Sequence, residues 1–435
     1  MLLIDEINDK KCSCGKAHTF NSEIITGCGA IDRLPEILNK LNAKKAFVIA
    51  DKNTYSAAGE KVCDILKKNG TDFGKYIFKS ENLEPDEASV GLAVMNFDPA
   101  CDVVIGVGSG VINDISKITS AVSQKPYIIV ATAPSMDGYA SATSSMTMDG
   151  IKISLPSKCA DVIIGDTDIL CQAPIKMMKA GIGDMLAKYI SICEWRISHL
   201  INGEYYCQNI ADLVKKSLKK CTDNADGLLK RDKTAVEAVF EGLIVCGVAM
   251  KFAGLSRPAS GVEHYISHIW DMRGVEFSSS VELHGIQCAV GTLIAVNLYE
   301  KLTQYKPDYE KAVKYTENFS YTDYCKFLRE FLGSSAEGMI ALEEKEQKYS
   351  LDAHKQRLTK IIDNWDNILN IISEELPSSS QLNELFDKIG LAKTSDEIGI
   401  DCAILPDTFK ATKDIRNKYV LSRLCWDLGI IDEII

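Results

Sequence analysis

Apolar residues in the first 170 positions fall into short unbroken runs separated by stretches of helical spacing. Residues 46–50 form such a run, entered from Lys44-Lys45 and ended by Asp51, and predict a strand. Residues 57–69 carry a helical period that stops at Gly70; 73–78 predict a second strand, and 85–96 a helix with Pro85 near its start and acids in its first turn. Residues 102–107 lack polar alternation, the mark of a strand buried on both faces. A helix over 111–122, a strand over 127–131 and another over 162–165 continue the alternation. A β-α-β-α-β-α-β order implies a doubly wound parallel sheet with right-handed crossovers. Between the last two strands, 144–148 and 151–155 flank Asp149-Gly150, a strong two-residue hairpin signal.

Beyond Pro174 the texture changes. Residues 176–193, 204–220, 234–253, 282–301 and 336–372 all show helical spacing, and strand-like runs become rare. Pro377-Ser378-Ser379-Ser380 reads as an N-cap cluster, followed by helices near 381–389 and 407–428. The pattern therefore divides the chain into an α/β domain over 1–172 and an all-α domain over 173–435.

Composition narrows the function classes. The chain has 435 residues, 46% of them hydrophobic and 25% charged, with a net charge of -11. Such a chain buries real cores and is a poor candidate for nucleic acid or anionic membrane, which demand a basic face. No apolar run approaches the ~20 residues of a membrane helix, and the N-terminus lacks the basic region of a signal peptide, so a cytoplasmic location is expected. The 15 cysteines are expected to be reduced; they form no CxxC pair.

Six places could carry chemistry. Gly106-Val107-Gly108-Ser109-Gly110-Val111-Ile112-Asn113-Asp114 joins a buried strand to a helix, where glycines admit a phosphate and the helix start offers N–H groups. Asp51 ends a strand, a position where an acid binds ribose hydroxyls and disfavours a 2′-phosphate. Thr132 to Ser141 follows another parallel strand at the end where open sheets place ligands. Asp184 lies at a Gly-rich helix start, and three of the six histidines, His264, His268 and His284, follow downstream. An acid with two or more of these histidines suits a divalent metal with open positions, able to polarise a carbonyl or alkoxide. Lys188 and Arg257 are candidate phosphate-binding cations. Finally, Cys12-Ser13-Cys14-Gly15-Lys16-Ala17-His18 offers three soft donors, with no fourth evident, and reads first as a β-turn.

Taken together, GVGSGVINDISK, ATAPSMDGYASATSSM, GIGDMLAK, SRPASGVEHYISHIWDM and ELHGIQ, in this order, resemble the bacterial branch of the sn-glycerol-1-phosphate dehydrogenases. That family lies within the superfamily of glycerol dehydrogenase, iron-type alcohol dehydrogenases and dehydroquinate synthase. The CxCGxxH opening, GCGAIDRLPEIL and the closing RNKYVLSRLCWDLG extend the resemblance over nearly the whole chain. It implies a Rossmann-like NAD(P)-binding domain and a helical domain, the dehydroquinate synthase-like fold. It implies that Asp184, His264 and His284 hold one zinc or nickel ion, and that Asp137, Asp184 and His268 meet the substrate, with Asp184 and His268 catalytic. Asp51, Gly108, Gly110, Val111, Ile112, Asn113, Asp114, Thr132, Ala133, Pro134, Ser135 and Ser141 would correspond to NAD(P) contacts. The implied reaction is reversible reduction of dihydroxyacetone phosphate to sn-glycerol 1-phosphate, in phospholipid metabolism, by a homodimer. The competing readings are a polyol enzyme like glycerol dehydrogenase, a lyase like dehydroquinate synthase, and a non-catalytic scaffold with a degenerate site.

Overall fold

The structure is a computed structural model describing residues 3–80, 82–148, 151–279 and 281–435. It divides into two compact units, Met1–Met185 with Asp212–Gly254, and Leu186–Ala211 with Leu255–Ile435.

The first unit is built on a six-stranded sheet. Among the described residues the strands of the unit, in chain order, are β1 (Glu23–Gly27), β2 (Lys45–Asp51), β3 (Asp72–Phe78), β4 (Val103–Gly108), β5 (Tyr127–Ala131), β6 (Thr143–Met148), β7 (Ile151–Pro156) and β8 (Val162–Asp166). Six of them form one sheet in the order β1-β8-β5-β4-β2-β3, and every pairing in it is parallel. The doubly wound sheet is thus borne out. All six residues of β4 are buried, as its unbroken apolar run demands. β1 escaped the sequence reading because only Ile25 of it is buried and its apolar stretch is just Ile24-Ile25, too short a run to see. β6 and β7 pair antiparallel on their own, the hairpin expected; its Asp149-Gly150 turn lies outside the described residues.

Two helices of this unit begin where side chains can take up free N–H groups. Asp86 caps Glu87–Met95 by accepting from Ser89 N, and Asp232 caps Lys233–Ala253 by accepting from Thr234 N and Ala235 N. That last helix was expected in a helical second domain beginning at 173. It groups instead with the sheet unit, together with Asp212–Gly254 as a whole. The reason is packing: it is apolar almost all round and lies against Asp137–Ala140, the helix Thr167–Leu170 and β1.

The second unit is helical throughout the described residues. Val262–Glu276 and His284–Thr303 are its central pair, pressed so closely that a Cβ on Gly291 would stand 2.8 Å from the Glu263 carbonyl oxygen. Several helices read as single pieces are broken. The span 336–372 splits into Ala336–Glu346, Leu351–Asp363 and Trp365–Glu375, the first ended by Gln347 in the left-handed region. The span 407–428 splits into Leu405–Thr412 and Leu421–Asp427, because the buried Asp414 between them bonds Arg423 and Tyr349 rather than continuing a helix. Ser378 caps Ser379–Ile389 in a reciprocal capping box with Gln381, as the Pro-Ser cluster foretold.

Candidate active site

In the first unit, three expected cofactor segments lie on one edge of the sheet. β2, β4 and β5 are neighbours, and Asp51, Gly108 and Thr132 stand at their C-terminal ends. β3 lies on one side of β2 and β4 on the other, so this is the point where strand order reverses and open sheets leave a ligand crevice. Gly108 is required by packing: a Cβ there would stand 2.5 Å from that of Ile112, in the first turn of the helix Gly110–Ser123. The start of this helix therefore sits directly on the strand end, with its first-turn amides unused by helical bonding. Asp51 accepts from Thr54 N at 2.8 Å, capping the short helix that follows.

Asn113 and Asp114, expected at the cofactor, are engaged by the protein. Asn113 is fully buried; its Nδ2 donates to Gly138 O at 3.1 Å and its Oδ1 accepts from Tyr127 OH at 3.1 Å. Asp114 Oδ2 accepts from Ser145 N at 3.3 Å and faces Lys117 Nζ at 3.6 Å. Lys117, also fully buried, donates to Gly138 O and Thr143 O. These side chains clamp the turn that carries Asp137. Thr132, Ala133, Pro134 and Ser135 are buried, with Thr132 N donating to Gly108 O; Ser141 bonds Thr143.

Asp184 is fully buried on Ile175–Leu186, and its Oδ2 accepts from Asp137 N at 3.0 Å. Two glycines let this happen. A Cβ on Gly181 would stand 1.8 Å from Pro134 O, and one on Gly247 would stand 2.9 Å from Asp137 O. Helix and loop are in backbone contact, so Asp137 and Asp184 are placed by main chain rather than by flexible side chains.

In the second unit the three expected histidines come together. Ring centroids of His264 and His284 lie 5.1 Å apart, of His268 and His284 5.8 Å, and of His264 and His268 6.5 Å. Each of two rings is held by its Nδ1. His264 Nδ1 lies 2.8 Å from Glu263 Oε1, an oxygen that also accepts from Gly261 N at 2.8 Å, so the ring donates there and the lone pair falls on Nε2. His284 Nδ1 lies 3.0 Å from Ser267 Oγ; Ser267 in turn donates to Gln287 Oε1 at 2.9 Å, and Gln287 Nε2 donates to Asp271 and to Glu282 O. That chain, anchored on a carboxylate, fixes the same tautomer at His284. The start of Val262–Glu276 is anchored by Glu194, whose carboxyl oxygens accept from Val262 N at 3.0 Å and Leu421 N at 2.8 Å; burial, with Glu263 nearby, pushes its pKa up to about 8.

A family profile described as iron-containing alcohol dehydrogenase matches residues 25–174. A glycerol-1-phosphate dehydrogenase [NAD(P)+] of Halalkalibacterium halodurans is 30% identical over 94% of this chain and 94% of its own length. The chain belongs to the glycerol-1-phosphate dehydrogenase family. One from Bacillus velezensis is 33% identical over 67% of this chain and 76% of its own. Among solved structures, glycerol dehydrogenase from Schizosaccharomyces pombe is similar at TM-score 0.59 and 19% identity, covering 98% of this chain and 92% of its own. A 1,3-propanediol oxidoreductase reaches 0.60 at 16% identity, covering 94% and 97%. At those identities the two structures bear on the fold, and they bear out the α/β-plus-helical architecture.

For a glycerol-1-phosphate dehydrogenase family member the donors of the second unit suit a divalent metal: two imidazoles, each held at Nδ1 by a second group, beside a buried thiol. Sequence reasoning missed Cys288, one turn beyond His284, whose sulfur lies 3.5 Å from His284 Nε2. Burial works to raise its thiol pKa, yet the rings of His264 and His284 bring it below the ordinary value. It also missed the holding residues, which carry no signal beyond ordinary polar spacing. Of the cations considered for phosphate, Arg257 is spent on Glu204, Ser198 and Tyr419 O, and Lys188 donates to Ala259 O. Lys418 went unnoticed. It is half-buried, donates to Ser260 O and Oγ just before the histidine helix, and sits 5.8 Å from the ring of Tyr265. Burial lowers its pKa to about 7, and Arg257 and Arg416 add to the effect. No helix among the described residues is long and apolar enough to cross a membrane.

Proposed function

We propose that this chain reduces dihydroxyacetone phosphate reversibly to sn-glycerol 1-phosphate, using NADH or NADPH and one divalent ion, zinc or nickel. The observation that carries the reading is the pair of imidazoles, His264 and His284, with both Nδ1 atoms tied by protein groups, in a chain of this family. Asp184, His264 and His284 are the residues assigned to the ion, which when bound supplies Lewis-acid polarisation of the substrate carbonyl. The nicotinamide supplies hydride, with its pyrophosphate assigned to the amides of 110–112 and its adenosine ribose to Asp51.

The chain's own residues then do three things. Asp137, fixed through its amide to Asp184, orients a substrate hydroxyl. His268, one helical turn from His264, holds or relays the proton that the nascent alkoxide needs. Lys418 receives the phosphate: a dianion beside a half-buried amine whose pKa is about 7 restores its charge and gives an attraction that a neutral triol cannot. A homodimer working in the cytoplasm belongs to the same reading.

The test is NADH oxidation by the zinc- or nickel-loaded protein with dihydroxyacetone phosphate beside dihydroxyacetone. Preference for the phosphate, loss with a chelator and an sn-1 product are expected. Equal or better use of dihydroxyacetone would replace this reading with a polyol dehydrogenase.

A further inference from the structure

The chemistry described so far leaves the N-terminal CxCGxxH segment without a role. In the structure it is a cross-tied knuckle. Gly15 N donates to Cys12 O at 3.0 Å, with Gly15 in the left-handed region at φ 82°, so the chain reverses between the two cysteines and the histidine. Lys11 and Ala17 pair as an antiparallel bridge, and Asp9 N donates to His18 O. One step further out, Asn8 Oδ1 accepts from Phe20 N at 2.8 Å while its Nδ2 donates to Phe20 O at 3.2 Å.

The three soft donors end up on the inside of this turn. One ligand atom from each of Cys12, Cys14 and His18 lies within 4.8 Å of the others. Cys14 Sγ stands 3.4 Å from His18 Nε2. Cys12 is only 5% exposed and His18 1%, while Cys14 is half-buried, so two of the three donors are held away from bulk water. The histidine is also preset. Its Nδ1 lies 3.2 Å from the Phe252 carbonyl oxygen, which can only accept, so Nδ1 carries the hydrogen and Nε2 turns its lone pair toward the sulfurs.

We propose that Cys12, Cys14 and His18 hold a divalent ion of the zinc class, in a structural site separate from the metal assigned to turnover. Two thiolates and an imidazole are the donor set such an ion selects over magnesium or calcium. Binding releases the two thiol protons and ties Cys12, Cys14 and His18 to one another. The ion therefore holds the knuckle folded against the sheet unit. Zinc completes four-coordination with one further donor from outside the knuckle, which a cysteine-to-serine scan of the whole chain identifies.

The test uses the full-length protein loaded with zinc and freed of excess. Elemental analysis is expected to show that Cys12→Ser/Cys14→Ser loses about one zinc equivalent per chain relative to wild type, while His264→Ala retains that equivalent. Because neither cysteine belongs to the reaction site, the double variant should keep turning over substrate and lose its zinc-dependent rise in Tm. In wild-type protein, peptide mapping after brief alkylation should show Cys12 and Cys14 protected by zinc and exposed by a chelator. That experiment decides the matter even if the double variant fails to fold. Unchanged zinc content in the double variant, or equal alkylation of both cysteines with and without zinc, overturns the proposal.

Discussion

Gly181→Ala puts the placement of Asp184 to a direct test. The added Cβ would stand 1.8 Å from Pro134 O, 2.8 Å from Pro134 C and 3.1 Å from a Val239 methyl. Nonbonded carbons rest at about 3.5–4.0 Å, so helix and loop must part by about 1.5 Å. The two nearest atoms are backbone, so no side chain can rotate away and the strain goes into the main chain. Overpacking of this kind costs about 1–3 kcal/mol, and a backbone clash belongs at the upper end, near 3 kcal/mol. For a unit of this size that is a fall in Tm of roughly 6–12 °C. Asp184 lies three residues on along the same helix, and its bond from Asp137 N is 3.0 Å long, so a shift of this size breaks it. A misplacement of about 1 Å at reacting groups costs on the order of 100-fold in rate. The assays are thermal unfolding and NADH oxidation, with Gly338→Ala as control. Gly338 lies exposed on Ala336–Glu346 with nothing within 4 Å of an added Cβ, so its replacement should leave Tm equal or slightly higher. Wild-type Tm and turnover in Gly181→Ala would refute the reasoning, because they would mean that helix and loop are not in contact.

Three further outcomes follow from the geometry. Ser267→Ala leaves His284 Nδ1 and Gln287 Oε1 without the hydroxyl between them, and zinc affinity, read by chelator competition, should fall about 10–100-fold with little change in Tm. Asp51→Ala should narrow the preference for NADH over NADPH in kcat/KM, and should lower stability by about 1 kcal/mol because the same carboxylate caps Thr54 N. Burial works against the charge on Asp414, but Arg423, Lys413 and Lys348 bring its pKa from the usual 3.8 down to about 2. Its folded pKa is below its unfolded one, so its stabilisation is complete above pH 3.8 and lost as pH falls toward 2. Tm of the wild type should drop across that window, whereas Asp414→Asn should be less stable at neutral pH and lack that step.

The fold was legible wherever burial repeats along the chain. β2, β4, β5 and β8 are each buried through most of their length, so their apolar runs stand out in the sequence. β1 has one buried residue and shows itself only once β8 is there to pair with it. Helix ends were harder to read than helix existence. The breaks at Gln347 and at 413–420 depend on a left-handed residue and on a buried ion pair, and neither leaves a periodic trace. The grouping of Lys233–Ala253 with the sheet is a matter of tertiary packing that local pattern does not encode.

The candidate site was legible in a different way, through rare residue types rather than through period. Three of six histidines within one stretch marked the helical half, and their rings do cluster. What sequence could not supply is the layer that aims them. Ser267, Asp271 and Gln287 have the spacing of any polar helix positions, and Glu263 looks like a first-turn acid placed for the helix dipole. In the structure all four are buried and bonded toward an imidazole, directly or through one another. Asn113, by contrast, had the position of a cofactor contact, and the structure turns it inward to hold the Asp137 turn. Residue type therefore reported which chemistry is available, whereas orientation came from polar side chains whose role exists only after two helices pack at the distance Gly291 permits. Enlarging Gly291 should consequently weaken metal binding without touching a single donor, since it pushes the helix that carries Glu263 and His264 away from the helix that carries His284 and Gln287.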